Sequence, residues 1–542
     1  MRRRGAAAGL LVGLLAVGGW TGSARAQPRG DDSLGAVDFP VSCSAAAQTG
    51  FDRAVALLHH MTYPEARAAF EEVARVDPRC AMAHWGIAMT LFQPLWPTRP
   101  GPAELRAGFD HVERALELAP PTERERRFVR AAEAFFADPV STDYWLRIRR
   151  WEAAQDSLFA AFPNDVEAAV FYALAHLATG QTGQSARAHA DRAGEILARL
   201  YDAHPSHPGV MHYLVHSNDV PGREGDSLQV ARRYGEVAPR NPHALHMPTH
   251  IYTRRGEWTE SVRGNLLAAE AALEQPVAGG WVWDEFPHAI EYLVYAYLQQ
   301  GADDRARAAW ERLRATPRLQ PSFKTAFHLA SIAARYALER RAWEEARAIE
   351  PRQPAGLDWD RFAWPEAIAR FARGLGAVRL GRLDETRATL ATLRELEDRT
   401  TGSGEERFAR NIRVLRLELT GWLAHAEGRS DSAAAMLRQA AELESSTPKH
   451  AVTPGPTLPA DEQLGDLLTE LHLPGEALDA YRRSLERYPR RFNSLLGAAR
   501  AARALGDVLE ARRYYRELLD AGDGGSRTAV FEEAWAVLVP RR

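Results

Sequence analysis

The chain has 542 residues, with 68 basic and 71 acidic side chains and a formal charge of −3. This near-balance offers no basic surface for nucleic acid or for an anionic membrane. Lys324 and Lys449 are the only lysines, and the arginine bias reads as genome composition rather than phosphate recognition.

The N-terminus runs Arg2-Arg3-Arg4, an apolar stretch from Leu10 to Val17, then Ala24-Arg25-Ala26 before Gln27. A basic region, a short hydrophobic region and an A-x-A site predict a signal peptide over 1–26 and an exported protein, periplasmic or extracellular. The apolar stretch is short for a membrane span, and nothing later approaches 18 continuous apolar residues. Cys43 and Cys80 are the only cysteines. In an oxidising compartment two thiols near one end invite a disulfide stapling the N-terminal cap, with two buried reduced thiols as the alternative.

Beyond residue 44, helix-length apolar patterns alternate with short turns, and no stretch shows sustained strand alternation. The pattern predicts an all-α chain in blocks over 27–165, 166–306, 307–446 and 447–542. Several turns share one grammar, a small residue, an acidic residue, an aromatic or aliphatic residue and then an Ala in the following helix. Examples are Thr62-Tyr63-Pro64-Glu65-Ala66, Ala342-Trp343-Glu344-Glu345-Ala346 and Gly506-Asp507-Val508-Leu509-Glu510-Ala511. Helices close on Asp77-Pro78, Phe162-Pro163, Ala238-Pro239 and Tyr488-Pro489. Trp96 to Ala103, Glu350 to Asp358 and Thr447 to Pro459 interrupt the pattern as Pro-rich insertions. Glu123 to Arg130 reads as a solvated helix face, and the aromatic pairs Trp145 and Trp151, Tyr292 and Tyr295, read as core.

This grammar resembles tetratricopeptide repeats, and the resemblance implies an α-solenoid of about 11–12 helical hairpins whose grooves commonly bind a peptide or protein. Phe39-Pro40-Val41-Ser42-Cys43, Cys80 to Met89, His212 to His216 and His243 to His250 further resemble an uncharacterised family of exported bacterial tetratricopeptide proteins with H-x-x-x-H motifs. That narrower resemblance implies no chemistry.

The pair His212-x-x-x-His216 recurs as His246-x-x-x-His250, 34 residues on (246 − 212 = 34), which is one tetratricopeptide period. A random chain of this composition holds roughly 0.6 such pairs, so two in register are informative. Residues four apart share one helix face. With Pro208 and Pro242 as first positions, Gly222 and Gly256 fall on the same turn position. By the resemblance, the groove face then carries Asp219, His243, Arg254 and, from a third helix starting at Pro287, His288, Glu291 and Tyr295.

Two readings stay open. In one, the groove binds a peptide or protein partner and the histidines are polar contacts. In the other, His212, His216, His246 and His250 hold a transition metal (Zn, Cu, Fe or Mn) as one four-coordinate site or as two sites, with Asp219 or Glu291 as a further ligand, or Glu291 as general base in hydrolytic or oxidative chemistry. Tyr213 and Met247 occupy the Glu position of H-E-x-x-H, which excludes a zincin-type protease. Pro248 predicts a kink between His246 and His250. The insertion Gln275 to Phe286, with Trp281 and Trp283, is expected either to fold over the cluster as a lid or to cover core. His59 is expected far from this patch, His60 solvent-facing, and His84, His204 and His207 structural.

Overall fold

A computed structural model describes residues 33–138, 143–182, 185–522 and 525–539. The signal segment over 1–26 lies outside these residues. Among the described residues 26 α-helices follow one another, and the only β pairing is two isolated bridges, Val277 with Trp281 and Val282 with Leu319. The protein is an all-α repeat solenoid in which each helix packs chiefly on its sequence neighbours. No hairpin could bury its apolar face alone, so stacking generates the core. No described helix is long and apolar enough to cross a membrane.

Small residues set the spacing between hairpins. A Cβ on Gly465 would meet the Tyr481 ring at 2.7 Å and one on Gly497 would meet it at 2.3 Å, so the two glycines let that ring lie against both backbones. Gly222 and Gly256, the equivalent turn positions of two repeats, both have positive φ, +81° and +67°. At Gly256 a side chain would also strike the Pro489 carbonyl at 2.7 Å.

That last contact departs from an open solenoid, in which each repeat touches only its neighbours. Trp258 donates to the Arg490 carbonyl at 3.1 Å, Phe492 N–H to Gln299 at 3.0 Å, and Arg99 pairs with Glu405 at 3.0 Å. The array therefore folds back on itself. One large core runs from Phe39 to Ile251, another from Phe323 to Ala534, and a smaller one links them through Ala268 to Ile332. The histidine-bearing helices lie at this junction.

Cys43 and Cys80 are joined by a disulfide, with Cα atoms 4.9 Å apart. Cys80 is the N-cap of Ala81–Thr90, and Cys43 lies just ahead of Ala45–His59. Cys43→Ser/Cys80→Ser is expected to lower stability by about 3–4 kcal/mol, the loop entropy released to the unfolded chain. Urea titration of the protein checks this, and a loss under about 1 kcal/mol contradicts it.

Candidate metal centre

Five helices, two of them the halves of one interrupted helix, build the centre. Pro208–Asn218 carries His212 and His216; Pro242–His246 and Pro248–Arg255 carry His243, His246 and His250; Glu285–Gln299 carries His288; Phe323–Leu338 carries His328. The middle helix is interrupted at Met247, because Pro248 supplies no N–H to the ladder. The third helix starts at Glu285 rather than Pro287, which puts a carboxylate in its first turn facing His243.

The histidines gather as two triads, not as one four-histidine site. His212 and His216 are joined by His243, while His246 and His250 are joined by His288, with the ligand atoms of each set all within 4.8 Å of one another. Nε2 of His212 lies 3.1 Å from Nε2 of His216 and 3.0 Å from Nε2 of His243. Nε2 of His246 lies 3.0 Å from Nε2 of His250. Imidazoles bound tetrahedrally at 2.0–2.1 Å place their nitrogens about 3.3 Å apart, close to these separations. The triads are adjacent, with the His216 and His250 rings 5.8 Å apart and the His243 and His246 rings 6.3 Å apart.

The opposite edges of the rings decide which nitrogens are bare. His212 Nδ1 is 2.6 Å from the His59 carbonyl, His243 Nδ1 is 3.1 Å from Glu285, and His250 Nδ1 is 2.9 Å from Asp219. His246 Nδ1 is 2.8 Å from Asn265 Oδ1, and the Asn265 amide is oriented by its own donation to the Ser261 carbonyl. All four partners are acceptors, so each Nδ1 carries the proton and each Nε2 presents a lone pair. His288 reaches the same state through a relay. His328 Nδ1 donates to Glu291, its Nε2 accepts from His288 Nδ1 at 3.2 Å, and His288 Nε2 is buried without a protein partner. Ring nitrogens held this way are the outer-shell arrangement that orients metal-bound histidines.

Burial lowers the ordinary pKa of His212, His216, His246 and His288 well below 6.5 and that of His250 to about 4. They stay neutral, as ligands must. Burial works against ionisation of Asp219, but Lys449 and Arg254 hold it well below the usual carboxylate range. Arg254 donates to Asp219 at 2.8 Å and Lys449 pairs with it at 2.7 Å.

Glu291 stands behind His328 and His288, where it also accepts from Ser331 at 2.6 Å and Arg335 at 3.2 Å. It therefore touches neither triad directly, contrary to the ligand or base role expected for it. Tyr295 is turned toward Arg491, whose guanidinium donates to its hydroxyl at 3.1 Å. The anticipated lid is also elsewhere. Trp281 packs under Arg318 at the rim of an outer cleft of about 980 Å3. Trp96 instead packs on His243 and His288, with ring centroids 5.2 and 5.8 Å away. On another side the Pro-rich strap over 447–459 presents Lys449 to Asp219, and its Thr453 carbonyl accepts from Tyr292 at 3.0 Å. Tyr292, expected as plain core, is buried against the His246 ring at 4.6 Å.

His59 is not remote: its carbonyl receives His212, and its ring joins His207 on Glu167 at 2.8 and 3.0 Å. Tyr213 and the Val210 N–H occupy the remaining nitrogens, so this cluster is a closed hydrogen-bond knot. His60 is fully buried, not solvent-facing, between Tyr234 at 2.8 Å and the Leu34 carbonyl at 3.0 Å. The fold-back of residues 33–39 over this helix end covers it. Burial lowers its pKa from 6.5 to about 3. Between those values the unfolded chain takes up a proton that the folded chain refuses, so this contribution is intact above pH 6.5 and is lost as pH falls toward 3. His60→Gln is expected to flatten the acid limb of a stability-against-pH curve for metal-free protein, and an unchanged limb would contradict this.

Residues 51–93 and 463–526 match the tetratricopeptide repeat family. These two stretches carry tetratricopeptide repeats. Its fold is similar to the human IFIT1 dimer with PPP-AAAA, at 13% identity, covering 81% of this chain and 90% of that one, with a TM-score of 0.39. It is also similar to the APC/C hetero-tetramer Cut9-Hcn1, with a TM-score of 0.31 and 90% of each chain covered, at 13% identity. Among curated proteins none matches the chain.

Sequence spacing missed His243 and His288 as members of the triads, and it missed His328, Asn265, Glu285, Tyr292, Trp96 and Lys449 altogether as parts of the centre. A weak signal existed, because His243 and His246 are three apart on one helix and could serve two neighbours.

Proposed function

We propose that this repeat protein is exported and is a metalloprotein, holding one transition-metal ion on His212, His216 and His243 and a second on His246, His250 and His288. The observation that carries the reading is the two pairs of bare Nε2 lone pairs, His212 with His243 and His246 with His250, each facing one another at 3.0 Å. Two such lone pairs cannot hydrogen-bond to each other, and buried polar atoms are rarely left so. A cation between them resolves both problems at once. Export is supported by the signal-like residues 1–26, and the Cys43–Cys80 bond suits an oxidising compartment.

A partner-binding scaffold remains the companion reading for the C-terminal repeats, where Leu505, Val508, Leu509 and Trp535 are exposed, Leu509 by 82%. At the histidines themselves, the face a peptide would need is covered by the chain's own strap and Trp96.

Elemental analysis of tag-free protein tests the metal reading. Two ions per chain are expected. Because the triads are separate, His212→Ala and His250→Ala should each lower the content by about half, and the double variant should hold none. Metal-free protein after incubation with Zn, Cu, Fe and Mn would overturn it.

A further inference from the structure

We infer that the ions are cuprous and that the centre's substrate is dioxygen, bound between the two triads; this rests on the metal reading above. Three observations converge on it.

The first is the donor set. Each triad offers three imidazole nitrogens, and the nearest carboxylates, Asp219 and Glu285, are bonded to Nδ1 on the far edge of the rings. Dinuclear iron and manganese carboxylate centres place carboxylates directly on the metals. Imidazole without carboxylate suits copper, and the charge of the surroundings selects its cuprous form.

The second is charge. The carboxylates around the centre are Asp219, Asp284, Glu285 and Glu291, and each is already paired, with Arg254 and Lys449, with Lys324, or with Arg335. The buried surroundings are thus close to neutral before any ion enters. Two dications would bring a charge of +4 into them and two cuprous ions only +2. Uncompensated buried charge is costly, so the lower charge is favoured.

The third is size. Of the two cavities beside the strap, one of about 10 Å3 touches the triads through His250 alone, and one of about 60 Å3, lined by Lys449 and His450, touches neither triad. Trp96 and Tyr292 close other sides of the rings. No opening wide enough for a peptide or a phenol reaches the ring nitrogens from these sides, so a ligand between the triads must be small. Three protein donors per ion leave a coordination position free for it.

The chemistry balances without another reactant. Each cuprous ion gives one electron, dioxygen is reduced to the peroxide level with its O–O σ bond kept, and one copper–oxygen bond forms at each ion. No proton is consumed, and release of dioxygen returns both electrons. Tyr292 and the tautomer-fixed rings supply no acidic proton that would expel peroxide.

The test loads the full, tag-free chain with Cu(I) under anaerobic conditions, counts bound copper, then admits dioxygen. Expected are two copper ions per chain, uptake of one dioxygen for each copper pair, and an intense near-ultraviolet charge-transfer band that fades on deoxygenation. His288→Ala should keep the first ion and lose both uptake and band. Full copper loading without uptake, or oxidation to isolated Cu(II) visible by electron paramagnetic resonance, overturns the dioxygen proposal and leaves the metal reading standing. Zinc or iron retained in place of copper does the same. Failure to bind any metal removes both.

Discussion

Chelator-stripped protein is expected to be less stable than the metal-loaded form by about 4 kcal/mol or more, the linkage expected when free metal stands about a thousandfold above its dissociation constant. The site is preformed, since Asp219, Asn265, Glu285, His328 and the His59 carbonyl orient the rings whether or not an ion is present. Little ordering cost is therefore charged against binding. In the stripped state the facing Nε2 lone pairs lack a common partner, so the helices carrying them should loosen together. Asp219→Ala should reproduce part of the effect by removing the acceptor that fixes His250 and the anchor of Lys449, with metal affinity at the second triad falling about 10–100-fold. Calorimetry of loaded and stripped protein measures the first effect and competition with a metal indicator the second. A melting temperature unmoved by chelator and by added metal would end the metalloprotein reading.

Much of this architecture is legible in the sequence, because solenoid physics is local. Turn glycines, the Ala positions and the closing prolines each report on one hairpin, Pro208 and Pro242 mark helix starts that the structure keeps, and Pro248 marks the kink that the structure shows as a break at Met247. The 34-residue register likewise puts the two histidine pairs on adjacent helices. What spacing cannot tell is which neighbour a side chain turns to. His243 and His246 share one short helix, yet one faces His212 behind it and the other His288 ahead of it. The remaining errors are all products of long-range closure. His60 is buried by residues near Leu34 and Tyr234, and the centre is covered by Trp96 and Lys449, insertions that read as linkers because nothing local says where they return. Glu291 illustrates the same limit at atomic scale. Its helical face was legible, but whether an imidazole stood between it and the centre depended on His328 from the next repeat.

The fold-back that closes the centre also has its own keystone, and Arg491→Met is expected to cost about 3–5 kcal/mol. Arg491 is fully buried, donating to Glu462 at 2.9 Å, Glu339 at 2.8 Å and the Tyr295 hydroxyl at 3.1 Å. Those partners come from three different helices, Ala460–Glu470, the end of Phe323–Leu338, and Glu285–Gln299, which carries His288. Methionine fills similar space but leaves Glu339 and Glu462 as buried carboxylates facing each other, and the loss comes mainly from those stranded charges rather than from missing attraction. Arg491→Met/Glu339→Gln/Glu462→Gln removes the charges together and should recover most of the stability. If the network also holds the His288 helix in place, the single variant should weaken the second triad's ion while sparing the first. Urea titration combined with metal counting separates the two effects. A single-variant loss below about 1 kcal/mol, or a triple variant no better than the single one, would show that the closure is held by apolar packing around Trp258 and Phe492 instead.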